Sequence, residues 1–461
     1  MIFAFTVKGY GLAIAARPQN HSALLTGEQI DAFRAECGLT PVTEWDRFEP
    51  DSPEGRLCES AAERLERGER PPASRVDVPS GLSDRDPPRA STQAAFGRIL
   101  LDLSRVEGLA ERVVTVSPDV SVSTNLGGWI NKAGVWGPEE EPVYDPMEDS
   151  PLRWRVGPRG RHIEMGIAEM NLVLLLGQLG LTWDFQRERL FPIGTLYDPF
   201  VMRALEGIVY STYSGSRFVL AGTPSGLSLS REGGAHQSLN TPGIGIETPG
   251  LMYAEPCYAR ELEWLLLDGL DRMQNPDGEA LYLRLSTKPI DQAPFADLVS
   301  RRGAEAVRAD VVAGGFRLRE PSGGEARVLV ATCGAMVPES LAAAELLASE
   351  EGVAATVIVC SSPDRLYRDW RAARVRPLET GGAPAACHLD LLVLPAERGA
   401  PLVTLVDGHS HALAWIGSAL GVPCVPLGVD RFGQTGSQPA LYDAYDVSPE
   451  AVVTAALVAL A

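Results

Sequence analysis

What this sequence has little of narrows its chemistry first. It carries seven cysteines in 461 residues (Cys37, Cys58, Cys257, Cys333, Cys360, Cys387 and Cys424), none spaced as CxxC. Several stand in apolar runs such as Val359-Cys360, so they read as reduced core residues, not as a disulfide framework or a cysteine zinc centre. Positive charge is in deficit. With 41 Lys and Arg against 60 Asp and Glu, the net charge is −19, which argues against a nucleic-acid or anionic-membrane surface. No apolar run reaches the roughly 20 residues of a membrane-spanning helix. The opening stretch MIFAFTVKGYGLAIAARP lacks a basic leader and is interrupted by Lys8, so it does not read as a secretion signal. No strand-like run is followed by GxGxxG, and Thr241-Pro242-Gly243-Ile244-Gly245 does not fit that pattern, which sets aside an NAD-type oxidoreductase. The expectation is a cytoplasmic protein with neither nucleic-acid nor membrane partners.

What is present is an ordinary globular composition, 45% hydrophobic and 22% charged, in a chain too long for one domain. Residues 1–50 open on Ile2-Phe3-Ala4-Phe5-Thr6-Val7, a β-rich run expected to be a strand in need of a sheet. After a loop holding His21, Thr26 and Gln29 have capping-box spacing for a helix through Phe33. Residues 51–88 are rich in Pro, Arg, Asp, Glu and Ser and read as a linker with a short helix near Cys58. Residues 89–300 read as one α/β domain. It has an amphipathic helix from Ser91, a buried strand Val113-Val114-Thr115-Val116 ending at Ser117-Pro118-Asp119, and a Gly-rich turn at 124–129. Residues 301–461 repeat a βαβ pattern, with strands near 327–332, 355–360 and 402–407 and a last helix at 449–460. His409 and His411 lack an acid or cysteine cluster around them and read as a loop, not a metal site.

The chemistry concentrates at Arg161-His162-Ile163-Glu164-Met165-Gly166-Ile167-Ala168-Glu169. This reads as a short strand, a corner, and a helix through Leu176. Glu169 opens that helix. It either complements the helix dipole or, poorly solvated beside so apolar a run, holds a proton and serves as a hydrogen-bond donor. Asp119 stands where a strand ends, the edge at which α/β sheets bind ligands. Tyr197 and Phe200, in Tyr197-Asp198-Pro199-Phe200, are core residues or a stacking platform. His236, in Arg231-Glu232-Gly233-Gly234-Ala235-His236-Gln237, can approach a ligand closely because its neighbours are glycines.

These motifs, in this order, resemble the thiamine-diphosphate enzymes of the transketolase superfamily. The homodimeric-type pyruvate dehydrogenases come nearest. Gly166-Ile167-Ala168-Glu169 resembles the family's Gly-[Ile/Val]-x-Glu corner, whose Glu hydrogen-bonds the cofactor's aminopyrimidine. Gly233–Gln237 resembles the Gly-x-x-His-Gln loop, and Phe432-Gly433-Gln434-Thr435-Gly436 a loop of the family's C-terminal domain. The resemblance implies a pyrimidine-binding domain with a mostly parallel sheet at 89–300 and a transketolase-like C-terminal α/β domain at 301–461. A remnant of the diphosphate-binding domain would lie at 1–50. Glu169, His236 and His21 would be catalytic, and Asp119 with Tyr197 or Phe200 would line the cofactor. The second acid that the pyruvate dehydrogenases often carry beside Asp119 is replaced by Val120. Arg89, Arg284 and Lys288 fall near positions that bind anionic substrate groups in the family, although salt-bridge roles suit them better.

The family's Gly-Asp-Gly metal motif is absent from these 461 residues. The resemblance therefore implies either a fragment of a longer enzyme or, as the favoured expectation, a split enzyme in which the ligands of Mg2+ stand on a partner subunit carrying the diphosphate-binding domain, in a heterotetramer. It implies a two-carbon carbanion or enamine drawn from a 2-oxo acid or ketose phosphate. This would pass to a lipoyl or acyl carrier protein, or to an aldose. The competing expectation is a non-catalytic regulatory or scaffold paralogue of the same fold.

Overall fold

The computed structural model describes residues 3–66, 73–82, 87–141, 152–322 and 327–461. The chain forms two compact units, Met1–Pro71 and Pro72–Ala461. In the first, Thr26 caps the helix Gly27–Glu36. Its hydroxyl accepts from the Gln29 amide while the Gln29 side chain returns to the Thr26 amide, so two otherwise orphaned donors are satisfied. A second helix, Pro53–Leu65, is capped by Ser52. The expected strand at the start does not form across residues 3–7. The chain there is extended but unpaired, and Phe3 and Phe5 are exposed. A strand needs a neighbour to satisfy its backbone, and none stands beside it among the described residues of this unit. Ile2 and the stretches 67–72 and 83–86 of the expected linker lie outside the described residues.

The second unit is built on two sheets. A ribbon of β1 (Arg89–Ala90) and β10 (Ile290–Asp291) joins the start and end of the first part. The larger sheet comprises β2 (Val113–Ser117), β3 (Val135–Trp136), β4 (Val156–Gly157), β5 (His162–Glu164), β6 (Phe191–Leu196), β7 (Val219–Gly222), β8 (Leu251–Ala254) and β9 (Ala280–Arg284). Its order is β4-β3-β5-β2-β6-β7-β9-β8, and every pairing is parallel. Strands buried on both faces read as continuous apolar runs, as Val219-Leu220-Ala221 does. One face packs against the helices Thr92–Leu103, Gly127–Ala133 and Ala259–Arg272. The other packs against Glu169–Leu179 and Leu205–Tyr213. The Gly-rich stretch expected to be a plain turn instead enters the helix Gly127–Ala133, because Trp129 and Ile130 both reach the core.

The smaller sheet comprises β11 (Phe316–Arg319), β12 (Val328–Thr332), β13 (Ala355–Val359), β14 (Leu402–Leu405) and β15 (Cys424–Leu427), ordered β11-β13-β12-β14-β15. Only β11 runs antiparallel. Residues 73–82, which read as linker, lie as an extended strap along the Ala259–Arg272 helix. There Arg75 pairs with Asp271 at 2.6 Å, and the Val76 amide donates to Gln274 at 2.7 Å.

The two sheets share a buried charge network. Arg284, at the end of β9, is 1% exposed. Its Nε donates to Asp198 at 3.0 Å, its Nη1 to Glu255 at 2.7 Å, and its Nη2 to the Asp407 carbonyl at 2.7 Å. Burial alone would favour loss of its proton, but Glu255 and Asp198 outweigh that and hold the guanidinium charged. Lys288 is paired with Glu339 at 2.7 Å. Arg284 and Lys288 are therefore internal ion-pair residues and are not free for a substrate anion.

Two measurements check this reading. Arg284→Met strands two buried carboxylates, so equilibrium urea unfolding should show a loss of about 3–5 kcal/mol. Glu261 caps the Ala259–Arg272 helix by accepting the Cys257 and Tyr258 amides at 2.9 and 3.0 Å. Burial pushes its carboxyl from 4.5 up to about 8, against those two bonds. A raised folded-state pKa means that its stabilisation is complete below about pH 4.5 and is lost as pH rises towards 8. Unfolding midpoints of Glu261→Gln between those limits should show a flatter pH slope than the wild type, by up to about 1.4 kcal/mol per pH unit.

Candidate active site

Parallel strands deliver their C-terminal ends to one edge of a sheet, and here that edge gathers the residues the sequence singled out. β5, β2 and β6 are neighbours. The Glu169 corner follows β5, Asp119 follows β2, and Tyr197 follows β6. Glu169 is the first residue of its helix and is 7% exposed. It is not an isolated acid against an apolar wall, because the Arg203 Nη1 donates to its Oε1 at 2.9 Å. Arg203 comes from the short turn of helix Asp198–Ala204, which also carries Phe200. The same guanidinium lies 4.0 Å over the Phe200 ring, a cation–π contact.

Tyr197 and Phe200 are half-buried and stacked, with centroids 6.1 Å apart. His236 meets both edge-on, at 6.3 Å from Tyr197 and 5.6 Å from Phe200. Glu169, Arg203, Phe200, Tyr197 and His236 thus form one connected group. Its back wall is Asp198, fully buried between the two aromatic positions. The Ser238 and Tyr282 hydroxyls both donate to Asp198, as does the Thr241 hydroxyl at 2.6 Å. Ser238 follows His236 by two residues, so one carboxylate fixes both the aromatic pair and the histidine loop. The loop is further fixed by the second sheet's side of the unit. A Cβ at Gly234 would stand 2.3 Å from the Gly433 carbonyl oxygen, and the Gln237 side chain donates to the Gln434 carbonyl at 2.9 Å. The two Gly-rich loops therefore pack against each other.

Asp119 is exposed and takes a left-handed backbone conformation, φ 67°, which short polar residues tolerate. Its amide donates to Glu164 at 2.8 Å. Glu164 also meets His162 at 3.1 Å, and His162 meets the Thr115 hydroxyl at 2.8 Å. Burial would raise the Glu164 carboxyl, but hydrogen bonds from His162 and Ser121 hold it below the usual range. Beyond Asp119, the Ser123 hydroxyl accepts from Tyr197 at 3.0 Å, tying this loop to the aromatic pair. His21 lies in the Met1–Pro71 unit, exposed, with its Nδ1 3.0 Å from Lys8 Nζ.

Sequence reasoning missed Arg203, Asp198 and Glu164. Arg203 lies six residues beyond Tyr197 and three beyond Phe200, so helical spacing alone could have put its guanidinium over that ring. Asp198 sits inside the quoted Tyr-Asp-Pro-Phe segment but gives no sign that an arginine 86 residues later will reach it. Among the described residues, no group of three or more His, Cys, Asp or Glu side chains is placed to hold a metal ion.

Comparison with known proteins gives this geometry a context. A model of the pyruvate dehydrogenase E1 component middle domain matches residues 80–288. The pyruvate dehydrogenase E1 component of Corynebacterium glutamicum is 25% identical over 492 aligned residues, covering 100% of this chain and 52% of the relative. That of Escherichia coli K12 is 22% identical, covering 100% and 53%. The chain thus spans about half the length of the curated relatives it matches. Among solved structures, transketolase from Leishmania mexicana superposes with a TM-score of 0.67 at 17% identity, over 98% of this chain and 61% of that one. A chain described as a split gene transketolase, inactive beta4 tetramer, superposes with a TM-score of 0.55 at 22% identity, over 80% of this chain and 98% of that one. The architecture resembles that of the solved transketolases, and the chain shows homology to the pyruvate dehydrogenase E1 component family, whose middle domain it matches at residues 80–288.

Proposed function

We propose that this chain is the pyrimidine-side part of a thiamine-diphosphate enzyme that transfers a two-carbon unit. On this reading, residues 89–300 are its pyrimidine-binding domain, 301–461 its C-terminal domain, and 1–50 a remnant of the diphosphate-binding domain. The observation that supports it best is the convergence of Glu169, Tyr197, Phe200 and His236, chosen from separate motifs, on one sheet edge. The donor set fits a flat, nitrogen-bearing ring: a nearly buried carboxylate, two half-buried aromatic rings and an imidazole edge. A Cβ added at Gly166, in the corner before Glu169, would meet no atom within 4 Å, so that corner is open.

On this reading, the Glu169 carboxyl group gives up the Arg203 N–H and shares a proton with a ring nitrogen of the aminopyrimidine instead. Arg203 already covers one face of Phe200, which makes Tyr197 the better stacking surface. When bound, thiamine diphosphate supplies the nucleophilic carbon that attacks a carbonyl. His236 stands by to hydrogen-bond the oxygen of that carbonyl as negative charge grows on it. The resemblance assigns Asp119 to the thiazolium side of the cofactor, and assigns His21 a contact with the substrate or the diphosphate side. Ligands for Mg2+ are assigned to another subunit.

That subunit is the second part of the proposal. The pyruvate dehydrogenase E1 relatives are about twice as long, and a chain described as an inactive tetramer of a split transketolase has a similar fold. The helices beside the site leave Met202, Val209, Tyr210, Tyr213 and Ile167 at 48–88% exposure, an apolar face suited to burial against another chain. The proposed assembly is a heterotetramer, with a lipoyl or acyl carrier protein, or an aldose, as the acceptor.

The test is co-expression with a subunit carrying a Gly-Asp-Gly metal motif, followed by turnover assays with pyruvate and with a ketose phosphate. The pair should bind thiamine diphosphate and turn over, and the lone chain should not. In the active pair, Glu169→Ala should lower kcat at least about 100-fold and His236→Ala by about 100-fold. Pair formation without turnover on any donor, unaffected by Glu169→Ala, would replace this reading with that of a regulatory paralogue.

A further inference from the structure

A concavity of about 610 Å³ is lined by none of the residues of the candidate active site. It lies where the helices Pro363–Thr380 and His411–Leu420 meet the helix Thr241–Glu247 and the turn after it. Its volume is in the range of small-molecule sites, roughly 300–1,000 Å³. Both helices turn one face to it, Tyr367, Arg368 and Arg371 from one and His411, Ala412 and Trp415 from the other, each spaced i, i+1, i+4. None of these residues takes part in the chemistry proposed above.

Two features define what this cleft would hold. Its wall is aromatic: Tyr367 and Trp415 stand edge to face with centroids 5.2 Å apart, backed by Trp370 at 5.7 Å from Trp415. It also has a cation that no carboxylate pairs. Arg368 is neutralised by Glu279 at 2.7 Å and Asp364 at 2.8 Å. Arg371, on the same face, is exposed and forms no ion pair or hydrogen bond with the described residues. Glu247 also lines the cleft, but it lies 3.8 Å from His411 and forms no ion pair with Arg371.

We propose that this cleft binds a planar aromatic ring carrying an anionic group, with the ring against Tyr367 and Trp415 and the anion on the Arg371 guanidinium. A carboxylate and a phosphate share the chemistry that Arg371 recognises, since both accept paired N–H donors from a guanidinium.

The test needs neither thiamine diphosphate nor a second subunit, so its outcome is separate from that of the proposed reaction. The full chain is titrated with 1-naphthyl phosphate by calorimetry, with 1-naphthoate, 1-naphthol and inorganic phosphate as comparisons. Saturable one-site binding of a naphthyl anion, at least tenfold tighter than 1-naphthol or inorganic phosphate, supports the site, and the tighter anion names the group. Arg371→Ala, at an exposed position, should keep the circular dichroism spectrum and weaken binding tenfold or more. Trp415→Ala, which removes the ring from the wall, should weaken it severalfold while the spectrum is kept. Absence of saturation, equal binding of 1-naphthol, or unchanged affinity in Arg371→Ala overturns the proposal.

Discussion

A guanidinium removed from water must be surrounded by acceptors, and the second unit is arranged around one that is. Arg284 reaches Asp198, Glu255 and the Asp407 carbonyl, so a single charge ties the end of β9, the end of β8, the turn after β6 and the loop after β14 to one point. These acceptors come from both sheets. Asp407 extends the tie by accepting the Leu227 and Ser228 amides at 2.7 and 3.0 Å, the segment that leads to the His236 loop. Buried ion networks of this kind contribute little net stability compared with apolar packing, but they tolerate few alternative arrangements. What Arg284 fixes is therefore geometry. Asp198 cannot move without stranding it, and Tyr197 and Phe200 flank Asp198.

The site inherits that rigidity from behind and is closed from the side by glycine. Gly234 and Gly433 leave no room for a Cβ between the two loops, so the histidine loop and the loop of the second sheet fit as a pair. Neither sheet alone would hold His236 against the aromatic rings. This accounts for motifs nearly 200 residues apart, Gly233–Gln237 and Phe432–Gly436, belonging to one structural feature.

The legible parts of the sequence were those whose physics is local. Thr26 and Gln29 form the capping box their spacing announced, because both bonds close within three residues. Strands such as Val113–Ser117 and Val328–Thr332 were visible as apolar runs ending in polar residues. Glu169, Tyr197, Phe200 and His236 were legible through motif resemblance, and their meeting at one edge follows from parallel strands. What failed was non-local. The Phe3–Val7 run has the composition of a strand, but composition does not supply a neighbour. Gly127-Gly128 looked like a turn, although the buried Trp129 draws the segment into a helix. For Arg284 and Lys288 the salt-bridge role was the better expectation and is what the structure shows, but which carboxylates would surround them, from distant strands, was not legible.

The contrast between the two arginines of the site bears on how it could work. Arg284 is inaccessible and its partners are buried, so its bonds persist whatever occupies the edge. Arg203 is different: its side chain is 56% exposed, and only the Glu169 side of the pair, at 9%, is removed from water. Ion pairs with an exposed partner are worth about 0–1 kcal/mol, since the cation finds solvent readily when released. A ligand atom able to hydrogen-bond Glu169 can therefore displace Arg203 at small cost, while Arg203 keeps its place over Phe200. The carboxylate therefore stands against a fixed back wall, while the charge in front of it is weakly held and exchangeable.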